Sequence, residues 1–231
     1  MLERVLPSSV RWAHCFEDRD AELFPEERVV VAGAVPRRQA EFATVRACAR
    51  EVLAALGYPP VPLLPGAYGA PGWPDGVVGS MTHCAGYRAA VVAHSSDVAT
   101  LGIDAEPHDK LPRGVLRAIA RPEEHRMLAA LPTASGLAWD RLLFCAKEAV
   151  YKAWFPVARR WLGFEEATVE IVPDGTFSVR LHTRGPDLLG RPLTGFAGRW
   201  ATSDTLIVTA VTVERDILTD QRTAVESESD T

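Results

Sequence analysis

Apolar residues recur at helical spacing in two long stretches of this chain. Between Pro36 and Gly57, Phe42, Val45, Ala49, Val52, Leu53 and Leu56 fall on one face. Pro36 is placed to open that helix and Gly57 to stop it, and a shorter helical stretch begins near Glu26. The second stripe is Leu142, Ala146, Ala149, Val150 and Ala153, uninterrupted by glycine or proline until Pro156. Glu148 and Lys152 are four apart and stack on one flank of it, Tyr151 lies beside them, and Lys147 points further round. Two short helices are predicted over residues 112–120 and 122–131, and a helical extension over 156–162.

Between the helices the pattern changes to that of strands. Residues 77–82 and 88–94 read as a hairpin about a Cys-Ala-Gly turn, and 101–105 adds a third strand. Residues 167–181 alternate as a strand pair turning at Asp174-Gly175, and 193–201 and 206–213 supply two more strands. The proline- and glycine-rich residues 59–76 read as a surface loop. The polar, acidic end reads as a disordered tail. This order predicts an α+β protein of two similar halves, 1–106 and 107–219, followed by the tail at 220–231, with no repeat legible residue by residue.

Composition narrows the class. With 231 residues, 47% of them apolar, the chain can bury a sizeable core. A net charge of −5 argues against a dedicated nucleic-acid binder. There is no apolar run of membrane-spanning length, and Met1-Leu2-Glu3-Arg4 opens no signal peptide, so a cytoplasmic protein without a membrane partner is expected. Cys15, Cys48, Cys84 and Cys145 are scattered, which suits reduced thiols better than a zinc site.

Candidate chemistry begins with Asp104 and Glu106, two apart on a predicted strand and so on one face. Two ionised carboxylates about 4 Å apart repel by roughly 4 kcal/mol at an effective dielectric of 20. Solvent, an arginine or a divalent cation must compensate, and oxygen ligands without His or Cys suit Mg²⁺ or Mn²⁺. Taken alone, the pair also reads as a solvated strand end, and Glu148 with Lys152 as a surface ion pair worth a few tenths of a kcal/mol.

Together the segments say more. Gly102-Ile103-Asp104-Ala105-Glu106, then Phe144-Cys145-Ala146-Lys147-Glu148-Ala149-Val150-Tyr151-Lys152-Ala153-Trp154, with Gly79-Ser80-Met81-Thr82-His83-Cys84-Ala85-Gly86 upstream, resemble the 4′-phosphopantetheinyl transferases of the Sfp/EntD type. The wording Trp73-Pro74-Asp75-Gly76 and Glu106-Pro107-His108-Asp109 is most similar to that of the actinobacterial members.

The resemblance implies a pseudo-twofold fold in which each half packs a helix on a small antiparallel sheet, with the site in the cleft between halves. It implies coenzyme A as co-substrate, with Arg38 and Arg46 on its 3′-phosphate and Thr82 and His83 as phosphate donors. Tyr151 and Trp161 would line a slot for the pantetheine arm. Asp104, Glu106 and Glu148, with the Ala105 carbonyl or a water, would hold Mg²⁺ (or Mn²⁺). Glu148 would be the base for a serine hydroxyl, and Lys152 and Lys147 would add positive charge at the leaving group. Pro65 and Tyr68 stand where relatives often carry a lysine. The implied partners are apo acyl and peptidyl carrier proteins, typically acidic helical bundles. Arg113, Arg117, Arg121 and Arg126, set among Val115, Leu116, Met127 and Leu128, form a candidate dock for them. A monomer is expected, since one chain supplies both sides of the cleft. A coenzyme A-binding module without turnover and a Mg²⁺-dependent phosphohydrolase are the alternatives.

Overall fold

A computed structural model describes residues 1–132 and 136–215; the tail expected at 220–231 lies outside them. The first half contains β1 (Arg11–Cys15), α1 (Pro25–Val31), α2 (Pro36–Ala55), β2 (Val77–Cys84) and β3 (Tyr87–His94). Its antiparallel sheet has the order β1-β3-β2. The apolar stripe of α2 lies on this sheet: Cys48, Ala49, Val52 and Leu53 pack against Ala13, Ala90, Val92 and Leu63. The alternate residues of β3, Ala89, Val91 and Ala93, face a second core with Leu2, Val5, Leu101 and Ile103. Burial on both faces explains why β3 reads as a nearly continuous apolar run.

β4 (Val98–Pro107), which falls in the expected first half of 1–106, joins the sheet of the elements after it: α3 (Val115–Ile119), α4 (Pro122–Ala130), α5 (Trp139–Ala158), β5 (Ala167–Val172), β6 (Thr176–Leu181), β7 (Asp187–Leu188), β8 (Arg191–Pro192), β9 (Gly195–Thr202) and β10 (Leu206–Glu214). Five of the strands form an antiparallel sheet in the order β4-β10-β9-β6-β5, and α5 lies across β4 and β10. The architecture is α+β, as the pattern predicts.

Two expectations about elements are corrected. The segment 101–105 is not the third strand of the first hairpin. That place is taken by β1, too short to stand out in the sequence, while β4 pairs with β10, Asp104 opposite Thr209. The helical extension expected over 156–162 is shorter than that: α5 continues through Pro156 but ends at Ala158, and Arg159 takes a left-handed conformation (φ 53°).

Where the two sheets meet, side-chain hydroxyls of β2 bridge to β4. The Ile103 N–H donates to Ser80 Oγ (3.1 Å) and the Ala105 N–H donates to Thr82 Oγ1 (3.1 Å). Ser80 and Thr82 thus satisfy the edge of β4 that faces away from β10.

One device occurs twice. Phe24-Pro25-Glu26-Glu27 opens α1 and Arg121-Pro122-Glu123-Glu124 opens α4. Glu27 and Glu124 are both fully buried and both accept the N–H at their own helix cap. Each also accepts a backbone N–H from a distant segment, Leu63 (2.9 Å) and Val169 (2.7 Å). Each binds a cation of the main helix, Arg50 (3.1 Å) or Lys147 (2.9 Å), at the same 23-residue spacing. The halves therefore share a buried carboxylate clamp as well as a helix-on-sheet layout.

Candidate active site

Gly102 brings the two acidic segments together. A Cβ there would lie 2.1 Å from the Ala149 carbonyl and 2.5 Å from the Ala153 nitrogen, so only glycine lets α5 sit this close to β4. The Thr100 hydroxyl donates to the Ala153 carbonyl (2.5 Å) and secures the crossing. Two residues beyond Gly102, Asp104 meets the face of α5 that carries Glu148 and Lys152.

Asp104 is buried. Its Oδ1 accepts from Lys152 Nζ (2.7 Å) and from the Thr82 hydroxyl (3.0 Å), while its Oδ2 is buried without a partner among the described residues. Burial raises the Glu148 pKa above its ordinary 4.5, and the neighbouring Asp104 charge raises it further. Glu106 is raised in the same way, by burial first and by Asp104 second, against the opposing pull of Arg141. Arg141 Nη1 donates to Glu106 Oε2 (2.9 Å), and the rest of its guanidinium is held by the carbonyls of Asp109 and Lys110 (3.0 Å each).

With Lys152 on Asp104 and Arg141 on Glu106, no three acidic, histidine or cysteine side chains among the described residues form a ready metal cluster. The donor set still fits an oxygen-preferring divalent ion. An unpartnered buried carboxylate oxygen, with two further carboxylates made less acidic by burial and by the Asp104 charge, marks a place short of positive charge. The Ala105 N–H is taken by Thr82, and its carbonyl leaves the same edge of the strand.

A second group lies where α2 meets the end of β2. Arg38 Nη1 donates to His83 Nε2 (2.5 Å), and His83 Nδ1 stands 3.8 Å from Glu41 Oε2. Burial, then Arg38, pushes the His83 pKa down to about 4, which keeps the ring a neutral acceptor.

Three residues assigned to ligand by the resemblance are engaged elsewhere. Arg46 is buried, donates through Nε and Nη2 to the Leu63 carbonyl (3.3 Å each) and lies 3.4 Å over the Phe42 ring. Desolvation lowers its pKa to about 10, and its bonds to Leu63 tie α2 to the 59–76 loop. The Thr82 hydroxyl is spent on the sheet seam and Asp104. Lys147 is buried on Glu124 and on the carbonyls of Phe164 (2.8 Å) and Ala167 (3.0 Å). In each case the residue type suits phosphate, but a buried acceptor from a distant segment claims it first.

Beside Glu148 a cavity of about 60 Å³ is lined by Tyr151, Trp161, Leu162 and Phe164, with Lys147 at its border. The Tyr151 and Trp161 rings pack on each other, 4.7 Å apart. Tyr68, from the other half, leans on Phe155 (5.5 Å) and Trp161 (6.4 Å). Sequence reasoning missed Arg141 and Glu41. Arg141 lies seven residues before Glu148, on the same helix face, and Glu41 three after Arg38. Among the expected docking arginines, Arg113, Arg117 and Arg126 are exposed, whereas Arg121 is bound to Glu123 (2.8 Å) and the Glu165 carbonyl. No helix among the described residues is long and apolar enough to cross a membrane.

Comparison with known proteins defines the class. Residues 26–93 match the 4′-phosphopantetheinyl transferase N-terminal domain, and residues 100–200 match the 4′-phosphopantetheinyl transferase superfamily. The chain is 53% identical over 219 residues to the 4′-phosphopantetheinyl transferase Svp of Streptomyces mobaraensis, covering 92% of this chain and 89% of that protein. It is 49% identical to PptT of Mycobacterium tuberculosis (91% and 97% covered) and 47% identical to Npt of Nocardia iowensis (91% and 99%), both also 4′-phosphopantetheinyl transferases. The chain belongs to the 4′-phosphopantetheinyl transferase family. Its reaction class is transfer of the phosphopantetheine group to carrier proteins, with coenzyme A as the family's substrate.

Proposed function

We propose that this enzyme moves the 4′-phosphopantetheine arm of coenzyme A onto a serine hydroxyl of apo acyl and peptidyl carrier proteins, releases adenosine 3′,5′-bisphosphate, and requires Mg²⁺ or Mn²⁺. The observation that carries this reading is the meeting of Asp104, with its unpaired Oδ2, and the Glu148 and Lys152 face of α5 beside the aromatic slot. Asp104, Glu106 and Glu148 would hold the ion, with the Ala105 carbonyl or a water. When bound, it supplies neutralisation of the diphosphate oxygens.

Glu148 takes the serine proton, directly or through a water, and its raised proton affinity makes it a better base than an exposed glutamate. Lys152, 2.7 Å from Asp104, brings a positive charge to the place where the leaving group gains negative charge. Arg38 takes the 3′-phosphate, with the His83 ring accepting from Arg38 Nη1 and so holding the guanidinium in place, and Tyr151 and Trp161 guide the pantetheine arm. The docking face for an acidic carrier is formed by Arg113, Arg117 and Arg126. The enzyme works as a cytoplasmic monomer, needing no nucleic acid or membrane.

Mass spectrometry of apo fatty-acid, polyketide and peptide carriers, incubated with the protein, coenzyme A and Mg²⁺, tests this. The carriers are expected to gain the phosphopantetheine arm, to lose that gain on chelation with EDTA, and to regain it with added Mg²⁺. Release of inorganic phosphate without an acceptor protein would instead identify a phosphohydrolase. Failure to label any carrier would leave a binding module.

A further inference from the structure

Glu41 lies on α2 and is buried, yet cations from two elements converge on it. Its Oε1 accepts from Arg37 Nε (3.1 Å) and from Arg88 Nη2 (3.4 Å). Its Oε2 faces Arg38 Nη1 at 3.6 Å and His83 Nδ1 at 3.8 Å. Arg88 is itself fixed, being 4% exposed, paired with Asp18 through two contacts (2.8 and 3.1 Å), and donating to the Cys84 carbonyl (2.6 Å). One oxygen of Glu41 is therefore anchored to a rigid buried cation, and the other is presented to two groups at the surface. Arg38 comes from the helix and His83 from the strand, and Glu41 is the anion between them. Without it Arg37, Arg38 and Arg88 would lose the one carboxylate all three share.

We propose that Glu41 is a positioning residue that couples Arg38 to His83 as one phosphate-recognising pair, and so sets the preference for coenzyme A over its 3′-dephospho form. This rests on the reading of Arg38, held by His83, as the 3′-phosphate site. Glu41 does not touch the nucleotide; it fixes the guanidinium and the imidazole in one orientation, so that binding a phosphate does not have to order two long side chains.

The test is the ratio of kcat/KM for coenzyme A to that for 3′-dephospho-coenzyme A, with one carrier protein and saturating Mg²⁺. The wild-type ratio is expected well above one, and Glu41→Gln should lower it about tenfold, as for loss of one charge-assisted contact. If Glu41→Gln does not fold, as judged by circular dichroism, Glu41→Asp serves. It keeps the charge but draws the carboxylate back by one methylene, and should lose part of the ratio. A wild-type ratio of one overturns the assignment of Arg38, and Glu41's part with it. A large wild-type ratio left intact in a folded variant overturns Glu41's part alone.

Discussion

Asp104 shows how one side chain can be central without being conspicuous. It shares an oxygen with Lys152 and Thr82, leaves the other unpaired, and adds to the burial that makes both Glu106 and Glu148 harder to ionise. The folded chain therefore holds protons on Glu106 and Glu148 more tightly than the unfolded chain does. Between the ordinary pKa of 4.5 and the raised values, stability falls as pH rises, and at neutral pH both ionised groups cost stability in the ion-free protein. Glu148→Gln removes one such charge. Its melting temperature should rise by about 2–4 °C per kcal/mol relieved. Its transfer rate should fall by about a hundredfold or more, from loss of the base. Differential scanning fluorimetry beside a carrier-labelling assay checks both, and a melting point that falls would show that Glu148 is not strained. Arg46, Thr82 and Lys147 teach the converse: a residue type suited to phosphate says nothing of a buried carbonyl or carboxylate that reaches it first.

At the level of elements, the site depends on how closely α5 rides over β4. Gly102→Ala would drive a methyl into the helix backbone at Ala149, next to Glu148. It should cost about 1–3 kcal/mol or more by overpacking, and should weaken transfer by shifting Glu148 away from Asp104. A urea denaturation midpoint measures the first effect. Gly33→Ala is the control, because a Cβ there meets nothing within 4 Å, and it should stay within about 0.5 kcal/mol of wild type. The stripe of α5 was legible because helical periodicity is local. The role of Gly102 was not, since a strand glycine reports close approach without saying what approaches. The pairing of β4 with β10 was equally hidden. Its apolar residues suit a strand in either sheet, and the choice is made by residues about a hundred positions later.

Across the whole molecule, the clamps built on Glu27 and Glu124 give the two halves a common plan. Breaking a buried ion pair from one side costs about 3–5 kcal/mol, so Arg50→Met and Lys147→Met should each lose stability of that order in chemical denaturation. Lys147→Met with stability unchanged but transfer lost would instead return Lys147 to the phosphate end of the site. The repeated Pro-x-Glu start is visible once the structure pairs the two glutamates, but three shared letters do not announce a repeat by themselves. What the sequence determined alone was local: helices from their 3.6-residue period, hairpins from their turns, and the family from three short motifs in order. Tertiary structure alone decided which strand joins which sheet, which cations are spent on buried carboxylates, and that Glu41 and Arg141 stand behind the site. Those outcomes depend on contacts between distant segments and on the cost of leaving a buried charge or N–H unpaired, a cost that exists only once the chain has closed around it.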